Sequence, residues 1–179
     1  MEKDLTFKLV IIDNDERVIA ETILPFEAVA NTVMYLPDSK SLNEFYKFAA
    51  LHPASRVREH IANKHKLSEE VFNLLAKDKS IDVLRELTYS ESFRKYADAS
   101  LVKRLIDFDY VCAEHIADYF EQLEQVDSDV VINLLMTSKD PSARLSLIYN
   151  FSTPKRIVKM FLNDDDCQVS EAAKRRLEN

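Results

Sequence analysis

Downstream of residue 52 the chain alternates short amphipathic blocks with polar breaks. Within each block the apolar positions recur at i, i+3 and i+4, the spacing of one helix face. The blocks fall into two interleaved series. First helices are predicted at "VREHIAN" (57–63), "VLRELTY" (83–89), "CAEHIAD" (112–118), "ARLSLIYN" (143–150) and "VSEAAKRRL" (169–177). Second helices are predicted at "EEVFNLLAKD" (69–78), "SLVKRLIDFD" (100–109), "DVVINLLMTSKD" (129–140) and "PKRIVKMFLND" (154–164). The first-helix anchors Val57, Val83, Cys112, Ala143 and Val169 step by 26, 29, 31 and 26 residues. The second-helix anchors Val71, Val102, Val131 and Ile157 step by 31, 29 and 26. A pair of short helices with one apolar stripe each cannot bury both stripes alone. Stacking the next pair against it makes a continuous core, so the pattern predicts an array of helix pairs.

The first fifty residues follow a different rule. "LTFKLVII" (5–12) and "RVIAETIL" (17–24) are rich in β-branched side chains and bracket the polar turn "DNDE". They predict a β-hairpin in which Asn14 or Asp15 takes any left-handed turn position; a helix over about 16–36 is the alternative. A helix "PFEAVANTVMYL" then opens at Pro25 and stops before Pro37, and "SLNEFYKFAALH" follows Ser41 and ends before Pro53. Asp140 before Pro141, Thr153 before Pro154, Ser68 and Asp127 are the expected helix caps. The organisation expected is an N-terminal hairpin and helical cap over 1–51, and a repeat array over 52–179 closed by a C-terminal capping helix.

Composition narrows the function classes. The 179 residues include no glycine, where average usage of about 7% would give roughly 12. That removes every glycine-rich phosphate loop, dinucleotide fingerprint and nucleophile elbow, and it suits a mostly helical chain. Two cysteines, Cys112 and Cys167, make no disulfide framework. No apolar run approaches the roughly 20 residues needed to span a bilayer, so the expectation is a soluble, cytoplasmic protein without membrane association. A formal charge of −7 disfavours general binding to phosphate backbones, which needs clustered cations. The acids concentrate between 110 and 140: Glu114, Asp118, Glu121, Glu124, Asp127, Asp129 and Asp140 face the single Lys139.

The segments "HPASRVREHIANKHKLSEEVFNLLAKD" and "DPSARLSLIYNFSTPKRIVKMFLNDDDCQVSEAAKRRL" resemble HEAT-like repeats, and most closely the variant leucine-rich type. Their Asp-Pro, Val-Arg, alanine, polar turn and Leu-Leu-Asp order carries the likeness. It covers residues 52–179 and is poor over 84–127, where Leu84 and Ala113 stand at the arginine position. The resemblance implies a mainly α fold, a short right-handed α-solenoid that holds other macromolecules. In that pattern Arg58 and Arg144 lie within reach of an acid ending a neighbouring unit, such as Asp78 or Asp164. Related alkylpurine DNA glycosylases use such repeats to hold damaged DNA. That alternative would place Arg56, Arg58, Lys64, Lys66, Lys103 and Arg104 along a cationic groove.

Catalytic and metal chemistry find little support. Cys112 and His115 have the spacing of half a zinc site, but His52, His60, His65 and Cys167 supply no second half. The same pair, read as nucleophile and base, lacks an oxyanion donor. Asp107/Asp109 and Asp164–Asp166 sit at helix ends, where capping explains them. No cofactor, metal or catalytic residue is expected. Tyr89, Phe93, Arg94 and Tyr96 lie in "TYSESFRKYADAS" (88–100), read as an irregular, exposed break in the repeat. Tyrosine and arginine are favoured at interface hot spots. With Glu121, Glu124, Asp127 and Asp129 these residues form the candidate contact surface for a protein bearing a basic patch. A nucleic-acid mimic acting on a basic protein is a further alternative. Self-pairing through the hairpin edge leaves a dimer open.

Overall fold

The computed structural model describes residues 6–178, so the Leu5 end of the expected first strand lies outside the described residues. The fold is mainly helical with one two-stranded antiparallel sheet. Two compact units divide between Leu87 and Thr88.

The first unit begins with strands β1 (Lys8–Ile12) and β2 (Val18–Ile23), which pair Lys8 with Ile23 and Ile11 with Ala20. An irregularity between Ile11 and Ile12 shifts the register. Asp13 forms the turn, its Oδ1 accepting from the amides of Asp15 and Arg17, each at 2.9 Å. The left-handed position belongs to Glu16, at φ 62°, rather than to Asn14 or Asp15, because Asp13 anchors the turn one step earlier. The Phe7 ring meets Phe45 at 5.6 Å and His52 at 5.5 Å, tethering the base of the hairpin to the helices.

Helices α1 (Phe26–Tyr35), α2 (Asn43–Ala49), α3 (Ser55–Ala62) and α4 (Glu69–Leu75) follow, a 3₁₀ turn (Lys40–Leu42) leading into α2. The division between units falls within α5 (Ile81–Tyr89). Alternate helices pack on one another here: α1 on α3, and α2 on α4. Val29, Val33, Tyr46, Val57, Ile61, Val71 and Leu75 form the buried centre of this unit.

The second unit holds α6 (Glu91–Tyr96), α7 (Ala99–Phe108), α8 (Tyr110–Tyr119), α9 (Ser128–Met136) and α10 (Pro141–Tyr149). It closes with α11 (Lys155–Val158), a 3₁₀ segment (Lys159–Asn163) and α12 (Cys167–Glu178). Again alternate helices pack: α8 on α10, α10 on α12, and α7 on α9. All five first-helix anchors, Val57, Val83, Cys112, Ala143 and Val169, are fully buried. Among the second-helix anchors, Val71, Val102 and Val131 are buried; at the fourth, Val158 is buried in place of its neighbour Ile157.

Capping follows the expectation at three of four sites. Ser68, Asp127 and Asp140 accept from the amides of Val71, Asp129 and Ser142. Thr153 does not cap: α11 starts one residue later, after Pro154, and the buried Thr153 hydroxyl has no partner. The segment 88–100 is ordered helix rather than an irregular break, since Ser90 caps α6 and Asp98 caps α7.

Two recurring devices join the helices. In the first unit Arg58 grips Asp78 with two hydrogen bonds of 2.6 and 3.0 Å, and its Nη1 donates to the His52 carbonyl at 2.7 Å. In the second, Arg144 grips Asp164 at 2.8 Å twice, and its Nη1 donates to the Ser138 carbonyl at 2.7 Å. The other device is a donor seven residues after an anchor, reaching back to the end of the preceding first helix. Lys64 donates to the carbonyls of Met34 and Leu36, Asn150 to that of Ala117, and Arg176 to those of Ile148 and Asn150. The last carbonyls of a helix have no partner within it, so each donor satisfies groups that burial would otherwise strand.

Candidate interaction surface

The second unit gathers part of the expected contact surface. Arg94, in the last turn of α6, lays its guanidinium over the Tyr119 ring at 5.0 Å and donates to the Tyr89 carbonyl at 3.3 Å. Its own carbonyl accepts the Glu124 amide at 2.8 Å. Tyr89, Arg94 and Glu124 are thus drawn together by α6 and the turn after α8. Tyr89 is half exposed, its ring packed against His115, and Tyr96 lies beneath Lys95 at 5.1 Å.

Phe93 must be removed from the surface. It is 1% exposed, because α6 is a capped helix and turns this side chain into the core rather than leaving it on a loop.

Glu121, Glu124, Asp127 and Asp129 are all exposed. Asp127 is occupied as a cap, and Asp129 lies 3.9 Å from Arg156. The structure also extends the acidic surface. Tyr110, Glu114 and Asp118 recur every four residues along α8 and are all exposed, which places them on one helix face. Desolvation raises the Asp118 carboxyl above its ordinary value. Among the described residues, Asp129 alone of these acids has a cation within ion-pair distance. Period four in the sequence carried this signal, but Tyr110 precedes the block from which the helix was read.

The alternative cationic groove fares differently. Arg56, Arg58, Lys64 and Lys66 belong to the first unit, Lys103 and Arg104 to the second. Lys64 is 8% exposed and spends its ammonium on helix-end carbonyls; burial lowers its pKa. Arg58 is committed to Asp78, and Lys103 to Asp107 at 2.5 Å. Arg58, Lys64 and Lys103 are therefore already engaged, because each sits beside an acid or a helix terminus of its own fold. Arg56 and Arg104 are exposed, as is Lys66.

Cys112 and His115 stand on α8. Both are buried, and His115 Nδ1 shares a 2.7 Å hydrogen bond with the Thr88 hydroxyl. No group of three or more metal-ligating side chains occurs among the described residues. Asp109 and Asp166 cap the helices that follow them. No described helix is long and apolar enough to cross a membrane.

No protein-family model matches the chain, and no curated protein or solved structure matches it.

Proposed function

We propose that this chain is a non-enzymatic protein-interaction module. Its helix pairs stack as a short right-handed solenoid of HEAT-like repeats, and its curved surface holds a protein with a basic patch. The observation that supports this reading is the face of α8. There, exposed Tyr110 leads a row of acids, Glu114 and Asp118, continued after the helix by Glu121 and Glu124, and among the described residues none of the four has a cation at ion-pair distance. An aromatic anchor beside uncompensated carboxylates suits a partner offering lysines or arginines around an apolar pocket. Long-range attraction would speed the encounter, and salt would weaken it. The test is an affinity pull-down from native extract at two salt concentrations, with the wild type beside a variant carrying E114Q, D118N, E121Q and E124Q. A protein captured at low salt by the wild type and missed by the variant supports the reading. Equal capture by both, or recovery of nucleic acid alone, contradicts it.

The hairpin favours self-association as a second mode. Every residue of both strands is exposed, including Leu9, Val10, Ile11, Ile12, Val18, Ile19 and Ile23. The Leu24 amide bonds to the Phe7 carbonyl, so ladder alternation turns the backbone groups of Lys8, Val10 and Ile12 to the free edge. A lone two-stranded ribbon is marginal in water. Two copies paired along β1 would form a four-stranded sheet. Light scattering should show a dimer that V10P reduces to monomer; a wild-type monomer at high micromolar concentration ends this reading.

A further inference from the structure

The loop between α10 and α11 is locked and yet holds an aromatic ring out in water. Asn150 Oδ1 accepts the Ser152 amide at 2.7 Å, and the Asn150 carbonyl accepts the Thr153 amide at 3.1 Å. Arg176 fixes the same loop from α12, donating to the carbonyls of Ile148, Asn150, Phe151 and Thr153. Phe151 is nevertheless 97% exposed and Tyr149 63%. Beside them lies a cleft of about 630 Å³, within the range of small-molecule sites. Its inner wall is apolar, from Ile148, Pro154 and Ala172.

The charge of this cleft is one-sided. Lys155, Arg175 and Arg176 line it, and no acidic side chain does among the described residues. Arg176 has no carboxylate partner among the described residues; its guanidinium is held by carbonyls, and burial alone lowers its pKa. Lys155 is exposed with no acid at ion-pair distance, while Arg175 shares its charge with Glu171 at 3.2 Å across an exposed surface. The lining also contains Thr153, 2% exposed, whose hydroxyl has no hydrogen-bond partner. A buried hydroxyl left without a partner is uncommon.

We infer that this cleft binds a small organic acid, its apolar body between Phe151, Tyr149 and Ala172 and its carboxylate against Lys155 and Arg175. Phe151 supplies a face for an aliphatic or aromatic body, and the two cations supply charge-assisted hydrogen bonds. Arg176 acts through its field and by holding the loop, since its terminal donors are already engaged. An acidic peptide, which needs cations spread along its length, fits less well than one carboxylate among the three lining cations.

The test uses the full chain, titrated with 3-phenylpropionate and with octanoate, and read by amide chemical shifts. The uncharged 3-phenylpropionamide serves as the comparison. The expected result is saturable shifts at Phe151, Ser152, Lys155 and Arg175 with one or both acids, and binding at least tenfold weaker for the amide. The exposed variants K155Q/R175Q and F151A should keep the wild-type melting temperature. The first should weaken the acid at least tenfold, the second severalfold. Absence of saturable shifts with both acids, equal binding of the amide, or unchanged affinity in K155Q/R175Q would each overturn the inference, as would binding confined to an acidic peptide.

Discussion

The two arginine clamps solve one problem with the same parts. Arg58 and Arg144 each reach an aspartate 20 residues on and a carbonyl six residues back. In each, the residue offering that carbonyl is 7% exposed, and its side chain accepts the amide two positions later: His52 from Ala54 at 3.1 Å, Ser138 from Asp140 at 3.2 Å. In each, the aspartate also accepts an amide two positions later, from Ser80 or Asp166. The same hydrogen-bond circuit is thus built once in each unit, from residues at matching spacings. Two differences remain. Arg58 Nη1 also donates to the Pro53 carbonyl at 2.9 Å, with no counterpart at Arg144 among the described residues. The first unit puts a titratable imidazole where the second has a hydroxyl.

The largest expected effect comes from breaking a clamp. The side chains of Arg58 and Asp78 are 17% and 6% exposed, those of Arg144 and Asp164 12% and 11%. Removing one partner strands the other's charge, so D78A and D164A should each cost about 3 kcal/mol by urea unfolding. An effect below about 1 kcal/mol in either would break the equivalence. Next in size is the helix-end donor: K64M leaves the final carbonyls of α1 without their ammonium and should cost about 1–2 kcal/mol.

Acid separates the clamps by the pH at which each begins to weaken. Burial, with the Arg58 charge adding to it, holds the His52 pKa below its ordinary 6.5. A proton on Nδ1 would also displace the Ala54 amide. The unfolded chain therefore takes up this proton first, and stability of the first unit falls as pH drops below 6.5 toward the folded value. Ser138 gives the second unit no such term at this position. A lower window is common to both. Burial opposes it at Asp78, but the Arg58 guanidinium and the Ser80 and Lys79 amides prevail; at Asp164 the Arg144 guanidinium leads. Both carboxyls thus sit below the ordinary 3.8. Their contribution is complete above that value and is lost as pH falls through the folded pKa. Hydrogen exchange at pH 7.5 and 5.5 should show protection falling in α3 and α4 for the wild type and not for H52S, while S138H should import the same loss into α10 and α11. The smallest effect belongs to the exposed Lys103–Asp107 pair, where K103A should change stability by no more than about 0.5 kcal/mol.

Helices were legible because apolar stripes at fixed period are dictated by the same burial that forms them; all five first anchors are indeed buried. The resemblance implied Asp78 and Asp164 as acids ending a neighbouring unit; each instead closes the helix pair that holds its arginine. The helix at Glu91–Tyr96 was obscured by its brevity and by serines that looked like loop and proved to be caps. That is why Phe93 passed for a surface anchor. Lys64 was misread for a related reason: a cation's charge is visible in sequence, whereas the stranded carbonyls of α1 that claim it are thirty residues away.

Segment-resolved hydrogen exchange on D78N and D164N tests the repeated clamp most directly, because each substitution removes a charge with little change of shape. The account predicts that D78N lowers protection of α3 and α4, and D164N that of α10 and α11, each by about a hundredfold. Loss in one unit with wild-type protection in the other would show that the two circuits are not equivalent.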